Sequence, residues 1–435
     1  MPAKSILIIL DGLGDRSHEC LGFQTPLQAA STPALDRLAR LGANGTYHAS
    51  SPGKALPSER AHFNLFGYGA YRFPGRGPLE ALGAGIALRP GDVAVLAHVV
   101  SVHEEDGHLV LDRGSPPASP EEADEITGSL GARSVGGIDI RFSRTKGLHG
   151  ILTLHGNVAP HITDSDPMRE GAPLPEILPW KEHGSGTAAA ATAAALKKYL
   201  LQAYGLLQKH PVNAKRTARG LPPLNALATQ RAGCLEGVPP FRDLFNLRAL
   251  SLASGFVYKG LSTYLGMDFI SVPDTGDPGR DIAGRISRAY NALADYDFIH
   301  VHTKAPDEAA HSKDPAAKKA VIETLDRGIA RAIDPLTENR DVLWTVTADH
   351  STPSSGPLVH SGEPVPLLLC GRGVRRDGIT RFDEISAAGG SLGCVRGGEL
   401  IDLILNYLDL ARLQGIMDTP EERPFWPGRY RPFRL

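Results

Sequence analysis

The sequence predicts an α/β protein with a mainly parallel central sheet and a smaller α/β domain inserted into it. Three apolar runs, at residues 6–10, 297–302 and 342–348, have the length and composition of buried parallel strands. Polar residues stand at or just beyond the end of each run. Because open α/β sheets bind ligands at the carboxyl ends of their strands, we expect the functional site at that edge.

Strand-end positions provide the first group of candidate ligands. Asp11 closes the first run and is followed by Gly12, and the third run ends in the pair Asp349 and His350. The end of a buried strand is an unfavourable place for polar groups that lack partners. These residues are therefore interpreted as ligands of a cation.

A second group follows the middle run, which leads through a short loop into PDEAAH. Asp307 and His311 are four residues apart, so both lie on one face if a helix begins there, and His360 stands in a Gly/Pro-rich loop beyond the third run. A lone D-x-x-x-H pair is usually a solvated helix face or an ion pair. Three strand-end clusters in one chain are hard to explain by coincidence, and mixed imidazole and carboxylate ligands suit Zn²⁺ or Mn²⁺ without deciding between them.

Domain organisation follows from where these candidates lie. Both ends of the chain contribute ligands and the middle contributes none, which predicts a metal-binding core at 1–75 and 240–435 with an inserted substrate-binding domain at 76–239. Within the insert, DVAVLAHVVSV, GHLVLD and HGILTLHG are typical of strands. Residues 119–130 predict a helix capped by Ser119, and an Ala-rich helix follows near residue 187.

Composition limits the function classes. The 435 residues are 42% apolar, which suffices for two cores, and a formal net charge of −2 gives no reason to expect a nucleic-acid or membrane partner. No run is long enough to span a membrane. The cysteines are scattered without a CxxC motif, which predicts free thiols in a reducing cytoplasm. They are Cys20, Cys234, Cys370 and Cys394.

Nine segments in order carry a family resemblance. They are ILIILDGLGDR, TPLQAASTPALDRLARLGANG, SERAHFNLFGY, GRGPLEALGAGI, DSDPMREG, KAPDEAAH, TADHSTP, HSGEPVPLLL and GSLGCVRGGELI. Together they resemble the cofactor-independent phosphoglycerate mutases of the archaeal type, which belong to the alkaline phosphatase superfamily. The resemblance extends over most of the chain and implies an alkaline-phosphatase-like core with an inserted domain.

The resemblance also implies a ligand set and a mechanism. One metal would be held by Asp307, His311 and His360, and the other by Asp11, Ser58, Asp349 and His350. The ions would be Mn²⁺ or Zn²⁺, with Mg²⁺ or Co²⁺ as further options. Ser58 would be the nucleophile, activated by the metal, and would form a phosphoserine that returns the phosphoryl group to the other hydroxyl of glycerate.

Further candidates concern proton transfer and a small phosphorylated substrate. In SERAH, His62 is a candidate for proton transfer and Arg60 for an additional catalytic cation. The substrate candidates are Arg76, Asp164, Asp166, Arg169 and Lys304. Each of them has a structural alternative, since Arg76, for example, could cap a helix.

Departures from the family pattern leave the reaction open. Arginines that the archaeal type usually carries are replaced by Ala55, Gly150 and His155. Interconversion of 3- and 2-phosphoglycerate is the first hypothesis. A divergent paralogue that hydrolyses phosphomonoesters or acts on a related phosphonate is the second, and a catalytically silent scaffold is disfavoured because the whole ligand set is present. The C-terminal PEERPFWPGRYRPFRL lies beyond the resemblance, and we interpret it as a packing segment rather than a nucleic-acid site.

Overall fold

The computed structural model describes residues 2–184, 186–411, 415, 417, 419–420 and 430–435. The chain divides after Phe73 and again after Gly237. One compact unit contains the described residues on both sides, and the other is Pro74–Gly237. Most of the C-terminal segment PEERPFWPGRYRPFRL lies outside the described residues. None of the helices in the described part of the chain combines the length and apolarity needed to cross a membrane.

The secondary structure alternates between strands and helices in the first unit and is richer in strands in the second. The strands are β1 (Lys4–Leu10), β2 (Ala43–His48), β3 (Val93–Glu105), β4 (His108–Arg113), β5 (Ala132–Val135), β6 (Ile138–Lys146), β7 (His149–His155), β8 (Ala226–Cys234), β9 (Ala249–Ala253), β10 (Asp268–Ser271), β11 (Phe298–Thr303), β12 (Val342–Thr347), β13 (Val365–Cys370) and β14 (Gly393–Arg396). The helices are α1 (Pro26–Ala29), α2 (Pro33–Leu41), α3 (Ser58–Phe63), α4 (Arg76–Gly83), α5 (Pro120–Gly128), α6 (Ala188–Leu207), α7 (Pro211–Ala218), α8 (Phe241–Phe245), α9 (Phe256–Tyr264), α10 (Pro278–Ala292), α11 (Ala305–His311), α12 (Pro315–Glu338), α13 (Glu384–Ala388) and α14 (Glu399–Tyr407).

The sheet of the first unit has the order β10-β9-β11-β1-β12-β13-β2-β14. Strand β1 lies between β11 and β12 and runs parallel to both. Only the pairings of β13 with β12 and with β2 are antiparallel in this sheet as described. The residues of β11 and β12 are all buried, as their apolar sequences predict for central parallel strands. The predicted α/β fold with a mainly parallel sheet is confirmed.

The second unit contains a sheet of order β4-β3-β7-β6-β5, with β8 paired to β3. Its described pairings are antiparallel. Apolar residues of this sheet form a core with residues of α5, α6 and α7, among them Ile126, Leu196 and Val212. The hydroxyl of Ser119 accepts a hydrogen bond from the amide of Glu122, whose side chain in turn caps the Ser119 amide. This capping box begins α5 at the predicted position.

Candidate metal centre

The candidate ligands follow the central strands of the first unit. Asp11 comes directly after β1, and Asp349 and His350 come just after β12. Strand β11 leads through Lys304 into α11, which contains Asp307. Because these three neighbouring strands are parallel, their carboxyl ends meet at one edge of the sheet.

Asp307 is the centre of the first ligand group. Its Oδ2 lies 3.3 Å from Nε2 of His311, one turn later on α11. Its Oδ1 lies 3.6 Å from Nε2 of His360. The other ring nitrogen of His360, Nδ1, is 2.7 Å from the carbonyl oxygen of Leu56, which fixes the ring so that Nε2 faces the carboxylate.

His350 is the centre of the second group. Its Nε2 lies 2.9 Å from the hydroxyl of Ser58, the first residue of α3. The same nitrogen is 3.2 Å from Oδ2 of Asp349 and 3.5 Å from Oδ1 of Asp11. The His350 ring also stacks on that of His360, with centroids 3.8 Å apart. His350 therefore connects both groups.

The donor set fits metal ions. Ligand atoms of Asp11, Asp349 and His350 lie within 4.8 Å of one another, and so do those of Asp307, His350 and His360. The three carboxylates are buried, and within the described structure each has one oxygen that accepts no hydrogen bond. Because burying an ionised carboxylate is costly unless a cation compensates it, this arrangement favours bound cations. The predicted ligands are thus brought together.

Two residues that the sequence did not indicate support Asp11. Its Oδ2 accepts a hydrogen bond of 2.7 Å from the hydroxyl of Tyr258 on α9 and lies 2.8 Å from Nε2 of His302 on β11. Burial alone would raise the pKa of Asp11, but the hydrogen bond to His302 and the charge of Lys304 lower it well below its usual range. Asp11 is therefore ionised and oriented. His302 could have been found from its place in the run at 297–302, whereas no sequence signal marks Tyr258.

His62, the candidate for proton transfer, is completely buried. Its Nδ1 lies 2.8 Å from the carbonyl oxygen of Ser58 and 3.4 Å from Oδ2 of Asp349. Burial would lower the pKa of His62, but the carboxylates of Asp349 and Asp11 raise it above its usual value. In this position the imidazole orients Asp349 and the first turn of α3.

The two candidate cations of this unit have different surroundings. The Arg60 guanidinium lies over the ring of Phe73, 5.3 Å from its centroid. Residues i and i+2 of a helix do not face each other, so Arg60 and Ser58 point in different directions on α3. Lys304 has its Nζ 3.2 Å from Oδ2 of Asp307. Lys304 therefore adjoins the ligand groups.

The remaining substrate candidates lie in the unit Pro74–Gly237. Arg76 begins α4 and forms an ion pair of 2.6 Å with Glu80 one turn later. Asp164 accepts a hydrogen bond of 2.6 Å from the amide of Arg231. Asp166 accepts one from the side chain of Gln230 and lies 3.5 Å from His98, whereas Arg169 is exposed.

Comparison with known proteins decides the family. The family model described as Metalloenzyme superfamily matches residues 3–407. The 2,3-bisphosphoglycerate-independent phosphoglycerate mutase 2 of Methanocaldococcus jannaschii is 40% identical over 432 residues, which is 98% of this chain and 97% of that protein. The chain belongs to the family of 2,3-bisphosphoglycerate-independent phosphoglycerate mutases. The predicted resemblance is confirmed.

Other proteins are similar to this chain over nearly its whole length. The enzyme of Methanopyrus kandleri is 36% identical over 93% of this chain and 96% of its own. A solved structure titled cofactor-independent phosphoglycerate mutase, from Thermoplasma acidophilum, has a TM-score of 0.63 at 32% identity, covering 94% of this chain and 100% of that one. A protein of Pyrococcus horikoshii reaches a TM-score of 0.75 at 30% identity, covering 94% and 98%.

Gly150 and His155, at positions where the resemblance led us to expect arginines, have different surroundings. A Cβ at Gly150 on β7 would lie 2.4 Å from Cζ of Phe142 and 2.6 Å from the carbonyl oxygen of Ser143, so no larger residue fits there. His155 at the end of β7 pairs through Nδ1 with Asp92 at 2.7 Å. Packing leaves no space for a side chain at position 150, whereas position 155 holds a histidine that pairs with Asp92.

Proposed function

We propose that this protein interconverts 3-phosphoglycerate and 2-phosphoglycerate by metal-dependent phosphoryl transfer through a phosphoserine, without bisphosphoglycerate. The observation that carries the proposal is the position of Ser58, whose hydroxyl lies 2.9 Å from Nε2 of His350 within the second ligand group. A serine hydroxyl is a poor nucleophile unless a base or a metal activates it. Membership of the mutase family supports the choice of substrate.

Two divalent ions complete the proposed site. Their ligands would be Asp307, His311 and His360 for one ion, and Asp11, Ser58, Asp349 and His350 for the other. Mn²⁺ and Zn²⁺ suit this mixture of imidazole and carboxylate, and Mg²⁺ or Co²⁺ are further options. When bound, the ions would lower the pKa of the serine hydroxyl and neutralise charge on the phosphoryl oxygens.

The residues of the chain then have the following roles. Ser58 Oγ attacks phosphorus, the bond from phosphorus to the 3-oxygen of glycerate breaks, and the serine proton ends on that oxygen. The 2-hydroxyl next attacks the phosphoserine, and its proton returns to Ser58. His62 holds the first turn of α3 and Asp349 in place during both steps. Lys304, beside Asp307, supplies a positive charge for the phosphate.

The proposal assigns substrate binding to polar residues of the unit Pro74–Gly237. Asp164 and Asp166 would bind the hydroxyls of glycerate, and Arg169 and Arg76 its anionic groups. Arg60 would supply an additional positive charge from outside the two ligand groups. The assignments of Asp164, Asp166, Arg169 and Arg76 rest on matching motif positions in the family, whereas Arg60 departs from the family motif.

The test is turnover of Mn²⁺-loaded protein on 3-phosphoglycerate without bisphosphoglycerate, with 2-phosphoglycerate and free phosphate measured in the same sample. We expect 2-phosphoglycerate, and we expect Ser58→Ala to abolish it while the fold is kept. Ser129→Ala is the matched control, because among the described residues the Ser129 hydroxyl donates only to the carbonyl oxygen of Ile126 near the end of α5. Release of phosphate alone would contradict the mutase, and turnover by Ser58→Ala would contradict the nucleophile.

A further inference from the structure

The side chain of Thr352 is buried between the two ligand groups. Its Oγ1 donates a hydrogen bond of 2.8 Å to Oδ1 of Asp307 and lies 3.1 Å from Nδ1 of His350. A hydroxyl has one proton to donate and lone pairs that accept. Because the proton goes to Asp307, the oxygen accepts from His350, which must carry its proton on Nδ1.

This contact determines which nitrogen of His350 is available. With the proton on Nδ1, the lone pair of Nε2 faces Ser58, Asp11 and Asp349. In proteins, the ring nitrogen that does not bind the metal is often held by a hydrogen bond that fixes the tautomer. One hydroxyl thus orients a ligand in each group.

The backbone of Thr352 is itself held in place. Its amide donates to the carbonyl oxygen of Gly14 at 2.9 Å, and its carbonyl oxygen accepts from Nζ of Lys318 at 2.8 Å. Lys318 is fully buried on α12, and its ammonium also lies 2.8 Å from the Gly14 carbonyl oxygen and 3.1 Å from Oδ2 of Asp15. The three donors of the lysine are used, so the loops after β1 and β12 are tied to α12.

We propose that Thr352 is a positioning residue that links the two metal sites, and that Lys318 holds it there. This inference rests on the metal ligands of the proposed function. Loss of the hydroxyl would leave a ligand of each site without its partner. Removal of such outer partners typically weakens metal binding about 10-fold to 100-fold.

Calorimetric titration of metal-free protein with Mn²⁺ tests the proposal through binding rather than activity. We expect Thr352→Val to bind both ions about 10-fold to 100-fold more weakly, and Thr352→Ser, which restores the hydroxyl, to bind them nearly as wild type does. Thr345→Val is the matched control, because Thr345 is equally buried and its hydroxyl has no hydrogen-bond partner among the described residues. It should leave the affinities unchanged.

The outcomes separate this inference from the proposed function. Wild-type affinity in Thr352→Val, or equal losses in the valine and serine variants, would overturn the role of the hydroxyl while the metal site stands. Absence of Mn²⁺ binding by the wild type would overturn both. If Thr352→Val does not fold, ¹⁵N NMR of the metal-free wild type replaces it, with His350 assigned by the signal lost in His350→Gln. A proton on Nδ1 supports the proposal, and a proton on Nε2 overturns it.

Discussion

Gly12 lies where the backbone after β1 approaches both ligand groups, and adding one methyl group there tests the geometry of the site. The residue has a φ of +65°. A Cβ at this position would lie 2.6 Å from Oγ1 of Thr352 and 2.8 Å from Cβ of Asp307. Carbon atoms in favourable contact are about 3.5–4.0 Å apart, so Gly12→Ala must displace one or both side chains.

Two costs contribute to the expected loss of stability. Alanine in the left-handed region costs roughly 1–2 kcal/mol, and overpacking a buried site costs typically about 1–3 kcal/mol. Gly22 separates these costs, because its φ is +67° while no heavy atom of the described structure lies within 4 Å of a Cβ there, its chain neighbours aside. Gly22→Ala bears only the backbone cost. The two variants should therefore differ by about 1–3 kcal/mol in the free energy of unfolding.

Equilibrium urea unfolding of both metal-free variants measures this difference, and Mn²⁺ titration measures its effect on the site. We expect Gly12→Ala to lose about tenfold or more in affinity, because Asp307 is displaced, and Gly22→Ala to bind as the wild type does. Equal stabilities of the two variants would refute the steric argument. Wild-type metal affinity in Gly12→Ala would refute the placement of Asp307 against this glycine.

Two other variants test further parts of the molecule. Tyr258→Phe removes the 2.7 Å hydrogen bond to Asp11, and we expect it to bind Mn²⁺ about 10-fold to 100-fold more weakly, as measured by calorimetry. Tyr199→Phe is the control, because it loses a buried hydrogen bond in the other unit and should bind Mn²⁺ as the wild type does. Burial raises the pKa of Glu384 from an ordinary 4.5 to about 7, so the folded state retains a proton that the unfolded chain releases. The free energy of unfolding of the wild type should therefore fall as pH rises through that interval. Urea unfolding should show that Glu384→Gln becomes more stable relative to the wild type between about pH 5 and about pH 8. If the difference in the free energy of unfolding between Glu384→Gln and the wild type does not change with pH, this prediction is wrong.

Several candidate ligands could be placed from the sequence because their positions follow directly from strand ends. Asp11, Asp349 and His350 close apolar runs that the sheet makes adjacent and parallel, and the spacing of Asp307 and His311 is that of one helix turn. Such positions are fixed by local pattern plus sheet topology. The pattern does not specify which distant side chains complete the contacts.

Tyr258 and Lys318 show why the supporting residues were missed. Each lies on a helix, where a tyrosine or a lysine is compatible with an ordinary half-buried face or a solvated one. Lys318 can be buried because the carbonyl oxygens of Gly14 and Thr352 and the carboxylate of Asp15 converge on its ammonium. That convergence depends on the packing of α12 against two loops far apart in sequence.

The positions at which the resemblance led us to expect arginines show the same limit for the unit Pro74–Gly237. From sequence alone, Gly150 and His155 are two equivalent losses of a guanidinium. In the structure they differ, because Phe142 closes the space beside Gly150 whereas His155 forms a hydrogen bond with Asp92. A side chain at 150 would require the Phe142 ring and the backbone near Ser143 to move, whereas His155 occupies its position with a hydrogen bond to Asp92. Under the proposed function, positive charge for the anionic groups of the substrate would come from other positions, and Arg169 and Arg76 are the first residues to substitute.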